Sequence, residues 1–208
     1  MEVFENLSEE KRQRILNAAL GEFAAKGFED ASTNRIVQEA GISKGALFHY
    51  FGNKKKLFDY LMVFSASQVK EQLLVDFPDS HDLIEVFSIY AQRKSELARV
   101  HPLLFDFWYK VFQEQQEHPL YKAIVLESVA LMKELFHDRI DTSKFRDGID
   151  LAKAIDICTW MSEGFARKYA QEHQSLDVEK MMKVSEELFT TLKIMIYRET
   201  SYEESSDF

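Results

Sequence analysis

The chain of 208 residues is 46% apolar and 29% charged, which is the balance of an ordinary globular protein. Its seven glycines and three prolines are too few to separate the many short strands of a sandwich or barrel, so we expect an all-α fold. One cysteine excludes an internal disulfide framework and a cysteine-rich zinc module. No apolar run approaches the roughly 20 residues of a membrane span, and the acidic N-terminus has no signal-peptide core, so the expected location is the cytoplasm.

The charge is unevenly distributed along the chain. The formal net charge of −9 would by itself argue against a nucleic-acid partner. Residues 31–58, however, contain five lysines and arginines against one acid, whereas residues 61–208 hold 17 basic and 26 acidic residues. A short basic segment near the N-terminus is therefore joined to an acidic remainder.

Apolar residues at helical spacing, capping residues and prolines predict helices along nearly the whole chain. Ser8, Ser43 and Asn53 are the expected N-caps, and Gly27 and Gly41 are expected to end the helices before them. The best loop is predicted at 141–148, and the polar, acidic tail at 201–208 is expected to be disordered. The predicted helices cover about 8–27, 33–40, 44–50, 54–77, 82–100, 103–116, 119–139, 149–173 and 177–198.

Residues 33–51, TNRIVQEAGISKGALFHYF, have the pattern of a helix-turn-helix. Ala40 is small where the two helices must cross closely, and Gly41 can adopt the positive φ of a tight turn. In such units the second helix enters the major groove of DNA, while the first lies across the backbone. The pattern by itself is also compatible with an ordinary helical hairpin.

Two features of this segment favour DNA over a plain hairpin. Gly45 and Ala46 are small residues at the start of the second helix, where they would let a partner approach the backbone closely. The three lysines at 54–56 stand at the N-terminus of the next helix and oppose its dipole unless an anion such as phosphate lies nearby. The expected surface of the second helix is Lys44, Gly45, Ala46, His49 and Tyr50.

With these motifs, residues 15–62, from ILNAALGEFAAKGFEDAST through GISKGALFHYFGNKKKLFDYLM, resemble the DNA-binding region of the TetR/AcrR family of transcriptional repressors. The resemblance implies an all-α homodimer whose N-terminal three-helix heads bind a palindromic operator. It also implies a C-terminal helical body that binds a small ligand and changes the spacing of the heads. The corresponding division is a DNA-binding domain at 1–53 and a regulatory and dimerisation domain at 54–200.

The resemblance also implies roles for individual residues. Thr33 matches the residue that caps the first helix of the unit and touches phosphate, and Lys54 matches a phosphate-contacting lysine. Many members carry tyrosine where this chain has Phe48, so the usual hydroxyl contact to phosphate is not available there. His49 stands at a variable position and is expected to discriminate between bases. The matches at the start and exposed face of the reading helix are Ser43, Lys44, Gly45, Ala46, Phe48, His49 and Tyr50.

The last two predicted helices carry apolar stripes that are wider than one core-facing side needs. Small residues in the first of them, Ser162, Gly164 and Ala166, would allow close helix approach. A four-helix interface between two copies explains this width and is what the resemblance implies. Burial of both helices inside one monomer remains the alternative. The predicted interface residues are Leu151, Ile155, Met161, Met181, Val184, Leu188, Leu192 and Met195.

Aromatic residues crowd the segment 87–112. Rings at helical spacing often belong to a core, but a ligand-responsive regulator needs a cavity between helices, and rings line such cavities well. The expected ligand is small and lipophilic or aromatic, and nothing in the sequence sets its charge. The predicted pocket residues are Phe87, Tyr90, Phe105, Trp108, Tyr109, Phe112, Trp160 and Phe165.

No catalytic or metal centre is predicted, because the histidines lack paired ligand spacing and no nucleophile elbow or glycine-rich phosphate loop is present. Cys158 lies in an apolar stripe and is expected to be a buried apolar residue. The sequence thus predicts a dimeric DNA-binding regulator, a repressor or an activator, with a small-molecule effector, no cofactor and no enzymatic activity. The alternative is a helical interaction protein whose helix-turn-helix no longer binds DNA. The presence of Lys44, Tyr50 and Lys54 argues against this alternative.

Overall fold

The structure, a computed structural model, describes residues 2–137, 139–173 and 177–198 and confirms the all-α fold. The tail predicted at 201–208 lies outside the described residues. A 3-10 turn at Thr142–Lys144 and an isolated antiparallel bridge between Phe145 and Tyr197 complete the assigned elements of these ranges. The α-helices are α1 Glu2–Glu5, α2 Glu9–Asp30, α3 Thr33–Ala40, α4 Lys44–Phe51, α5 Lys54–Leu74, α6 Leu83–Val100, α7 Pro102–Glu114, α8 Pro119–His137, α9 Leu151–Glu172 and α10 Val178–Ile196.

Two of the three expected N-caps form capping hydrogen bonds. Ser43 Oγ accepts from the Ala46 amide at 3.1 Å, and Asn53 Oδ1 accepts from the Lys56 amide at 2.8 Å. Ser8 precedes α2, but its side chain makes no capping hydrogen bond. The starts of α4 and α5 are therefore fixed by side chains at the positions that the sequence indicated.

The described residues form two compact units, and the first comprises residues up to Lys70 together with His101–Ile124. Its core is aromatic, because the ring of Phe107 from α7 lies 6.5 Å from Phe23 of α2 and 5.4 Å from Phe58 of α5. Phe107 is fully buried. The unit that holds the helix-turn-helix thus extends past residue 53 and includes a helix from much later in the chain.

The second unit comprises Glu71–Val100 and the described residues after Ile124. α6 packs against α10 here, and the buried cluster includes Leu83, Ile155 and Leu192. The hydroxyl of Tyr197 donates to Asp82 Oδ1 at 2.7 Å and accepts from the Ile84 amide at 3.2 Å. The residue after α10 is thereby bonded to the start of α6.

Gly27 interrupts α2 with a backbone that only glycine adopts readily. Its φ of 72° and ψ of −177° lie outside the helical region. The sequence predicted that the helix ends here, but the structure shows a kink, after which the helix continues to Asp30. A Cβ at this position would collide with the carboxylate of Glu114, which Lys110 holds in an ion pair at 2.6 Å. Gly27 therefore permits both the kink and the close approach of α2 and α7.

Replacement of Gly27 by alanine should lower the free energy of unfolding by about 1–3 kcal/mol, because it strains the backbone and displaces Glu114. Gly164→Ala in α9 is the matched control. A Cβ there meets nothing within 4 Å, and alanine should stabilise the helix by about 0.5–1 kcal/mol. Urea unfolding of both variants measures the difference, and equal midpoints would contradict the role given to Gly27.

Candidate nucleic-acid interface

The turn between α3 and α4 has the geometry expected of a helix-turn-helix. Gly41 adopts the left-handed conformation with φ 65° and ψ 38°, and the Ile42 amide donates to the Val37 carbonyl at 3.0 Å. Ile36 and Ala40 are buried on α3, and Leu47 is buried on α4. The two short helices are therefore held at a fixed angle by a glycine turn and by one apolar side of each.

The outward side of α4 is small, polar and basic. Ser43, Lys44, Gly45 and His49 are exposed, while Ala46 and Phe48 are half-buried. A Cβ at Gly45 would meet only the Ser43 hydroxyl at 3.9 Å, so no packing inside the protein requires glycine there. This surface leaves the first turn of the helix accessible to the edges of bases or to a phosphate.

Tyr50 differs from its expected place on this surface. Its side chain is 9% exposed and lies beside Phe4, with the ring centroids 6.0 Å apart. The sequence pattern missed α1, a single helical turn that buries Phe4 against α4 and α5. Glu5 of α1 accepts a hydrogen bond from the Tyr60 hydroxyl at 2.7 Å, which holds α1 in place. Tyr50 therefore packs on the buried side of α4 and stabilises that helix.

The cap of α3 is supplied by Ser32, where the resemblance implied Thr33. Ser32 Oγ accepts from the Arg35 amide at 3.4 Å, and Thr33 is the first helical residue and is half-buried. The reason is local geometry, because the extended backbone at Ser32 places its side chain over the free amides of the first turn. Thr33 keeps a position at the helix N-terminus, where a phosphate is favoured electrostatically.

Lys54 is engaged with the protein itself. Its ammonium donates to the carbonyl of Glu29 at 2.8 Å and lies 5.1 Å from the ring centroid of Phe28. The start of α5 is therefore tied to the end of α2. An ammonium has three donors, so a phosphate contact by Lys54 is compatible with this tie. The adjacent Lys55 pairs with Asp59 at 2.6 Å, and Lys56 is exposed.

Glu22 is a buried acid that the sequence pattern did not single out. Its carboxylate accepts from the Ser32 amide at 2.9 Å and lies 3.6 Å from Nε of Arg35, while the side chain is only 5% exposed. It thus fixes the first turn of α3 from within α2. The available signal was a charged residue between Leu20 and Phe23, two members of the buried stripe of α2.

The predicted pocket residues are divided between the two units. Trp108, Tyr109 and Phe112 on α7 are half-buried in the first unit, where Phe105 is buried. In the second unit Phe87 belongs to the buried cluster, Tyr90 and Phe165 are half-buried, and Trp160 is 66% exposed.

The predicted interface residues also differ in how far they are buried. Ile155 and Leu192 are 4% and 1% exposed, so their assignment to a dimer face is wrong. The reason is that α10 packs against α6, and its central apolar residues fill that contact. Met195 is 51% exposed and remains available to a partner. The half-buried members are Leu151, Met161, Met181, Val184 and Leu188.

Two further properties of the described ranges concern the reactivity of the cysteine and the apolar length of the helices. Cys158 is buried, and burial raises the pKa of its thiol to about 12, which makes it unreactive as a nucleophile. None of the helices in these ranges is long and apolar enough to cross a bilayer.

Removal of the Glu22 carboxylate should destabilise the first unit. Glu22→Ala leaves the Ser32 amide and Arg35 without their buried acceptor and should lower the free energy of unfolding by about 1–3 kcal/mol. Glu22→Gln keeps one acceptor oxygen and should lie between wild type and alanine. Glu39→Ala on the exposed side of α3 is the control and should stay within about 0.5 kcal/mol. Chemical unfolding gives the order, and an unchanged Glu22→Ala would contradict the assignment.

Comparison with known proteins places this interface in a family. The sequence profile of bacterial regulatory proteins of the tetR family matches residues 15–61. The repressor AcnR of Corynebacterium efficiens is 43% identical over 60 residues, which are 29% of this chain and 32% of AcnR. The nucleoid occlusion factor SlmA of Haemophilus influenzae is 27% identical over 108 residues, 47% of this chain and 50% of SlmA. The matches thus span a third to a half of these curated relatives.

Solved structures share the fold over nearly the whole chain. A TetR family transcriptional regulator from Chloroflexus aurantiacus has a TM-score of 0.71 at 23% identity and covers 95% of this chain and 98% of its own. FadR from Bacillus subtilis, solved in complex with stearoyl-CoA, has a TM-score of 0.67 at 18% identity and covers 86% and 96%. At these identities the similarity shows the fold alone. Residues 15–61 of the chain thus carry the sequence pattern of the tetR family of bacterial regulatory proteins.

Proposed function

We propose that this protein is a dimeric transcriptional regulator that binds a palindromic operator through α4 and is released from it, as a repressor, by a small lipophilic or aromatic ligand. The observation that carries the proposal is the outward side of α4, which combines an accessible helix start with the exposed Lys44 and His49. AcnR, a relative in the matched segment, is a repressor, which supports the sign of the effect.

The chemistry of α4 suits a major groove. Gly45 and Ala46 carry little or no side chain, so the start of the helix can approach base edges closely. Lys44 and the lysines at 54–56 offer ammonium groups to phosphates, which give affinity without sequence information. His49, with a ring that both donates and accepts hydrogen bonds, is suited to a base edge.

A dimer is supported by apolar surface on the last two described helices. Trp160 of α9 is 66% exposed, and Ile194 and Met195 of α10 are each 51% exposed. A contact between copies through α9 and α10 would remove these large apolar side chains from water. A two-fold pairing through these helices would present two copies of α4 to half-sites about one DNA turn, or about 34 Å, apart.

Selection of bound sequences from a random DNA pool tests the regulator function directly. A regulator of this kind should enrich an inverted repeat, and binding to it should weaken steeply with salt. Enrichment of no sequence, with only weak and uniform DNA binding, would contradict the proposal and favour a helical interaction protein.

Lys44 and His49 should differ in what they contribute to DNA binding. Lys44→Ala should weaken binding to all sequences alike and reduce the salt slope by about 1, because a phosphate contact is lost. His49→Ala should cost about 1–3 kcal/mol on the enriched site and little on random DNA. Fluorescence anisotropy on both DNAs separates the two, and Lys153→Ala in α9 controls for the loss of one charge. Equal losses for His49→Ala on both DNAs would make it a phosphate contact.

Met195→Glu should dissociate the dimer, because it places an unpaired charge in an apolar contact between copies. Leu126→Glu on α8 is the control, since Leu126 is 72% exposed and lies outside the proposed interface. Sedimentation velocity at micromolar concentration distinguishes dimer from monomer. A monomeric wild-type chain would remove the dimer, and with it the palindromic operator.

A further inference from the structure

One side of α6 is buried at both of its ends and open in its middle. At about 100° per residue, Leu83, Phe87, Leu97 and Ala98 share a side of the helix with Tyr90 and Lys94. The four apolar residues are buried, whereas Tyr90 is half-buried and Lys94 is exposed. The middle of this side is therefore accessible between two buried ends.

The two polar groups in the middle of this side are partly desolvated by the protein around them. Desolvation lowers the pKa of the Lys94 ammonium, and desolvation also raises the pKa of the Tyr90 hydroxyl. A lysine on the outer surface would remain hydrated and would keep its ordinary pKa. Lys94 is therefore accessible to a small molecule and at the same time partly desolvated by the protein.

Neither polar group is satisfied by the described part of the chain. Within residues 2–137, 139–173 and 177–198, Lys94 and Tyr90 form no hydrogen bond or ion pair. The acidic residues of α6 have other partners. Glu85 accepts from Ser80 Oγ at 2.7 Å, and Glu96 pairs with Arg99 at 3.5 Å. An accessible, partly desolvated ammonium without a counter-charge is a favourable partner for an anion that a ligand brings.

We propose that Lys94 and Tyr90, one helical turn apart on α6, bind the anionic head of an amphipathic effector whose hydrocarbon part lies against the apolar residues of the same side of the helix. This rests on the proposed regulatory function for its effect on DNA, whereas the binding chemistry is independent of it. The ammonium offers three donors and the phenol one, which match the oxygens of a carboxylate or a phosphate. Phe87, one turn before Tyr90, is suited to an alkyl chain.

The test uses four ligands with the same ten-carbon chain and different heads. Decanoate and decyl phosphate supply the two anionic heads, and decanol and decylamine supply the neutral and cationic ones, all below their micelle concentrations. Calorimetry on the full chain should show at least tenfold tighter binding of one or both anions than of decanol or decylamine. The tighter anion identifies the head group as carboxylate or phosphate.

Variants assign the binding to these residues. Lys94→Met should weaken anion binding about 10- to 100-fold, as expected for a lost charge-assisted hydrogen bond, and Tyr90→Phe by about 3- to 10-fold. Lys94→Arg should retain most of the affinity, and Lys122→Met on the exposed start of α8 should change nothing. Without ligand, Lys94→Met should melt close to the wild-type temperature, because Lys94 is exposed and forms no ion pair within the described residues.

The outcomes separate the site from the function. Anions that bind no better than decanol, no binding by any of the four, or a Lys94→Met variant that binds like wild type, would overturn the site. Specific DNA binding in the same samples would then leave the regulator function standing. Conversely, Lys94-dependent anion binding without specific DNA binding would keep the site and remove the function.

Discussion

An isolated helix of eight residues is not stable in water, and both α3 and α4 are eight residues long. Contacts from several parts of the first unit stabilise these two helices. Gly41 sets the turn, Ser32 and Ser43 cap the two helix starts, and Glu22 bonds the first turn of α3 from inside α2. Phe4 fills the space behind Tyr50 and Phe51. The reading surface is free to carry glycine and lysine because its stability comes from its other side.

The support extends into sequence that the matched family segment does not contain. Phe107 of α7 completes the aromatic core made by Phe23 and Phe58, and the α2 kink at Gly27 lets the two helices approach closely. A helix assigned from the sequence to the regulatory region is thus a structural member of the unit that presents α4. Substitutions in α7 can therefore alter DNA binding through the packing of the head.

Sequence reasoning predicted the helices well because apolar periodicity, capping residues and prolines are local signals. The turn at Gly41 and the caps at Ser43 and Asn53 are of this kind. The burial of Tyr50 depends on Phe4, which is 46 positions away in a helix too short to show a period. Ile155 and Leu192 were misplaced for a related reason, because an apolar stripe does not say whether α6 or a second copy covers it. Lys94 gave no signal, since one lysine in a helix is ordinary until its neighbours are known.

The contact between α2 and α7 also bears on how the protein folds during synthesis. The residues of α2 to α5 leave the ribosome well before Pro102–Glu114, the segment that covers Phe23 and Phe58. Until then the nascent head exposes an aromatic surface, and contacts of such long sequence separation form slowly. The completed head is therefore coupled to translation of α7. A chain that stopped after α5 would carry the full family motif together with an uncovered apolar patch, which favours association over folding.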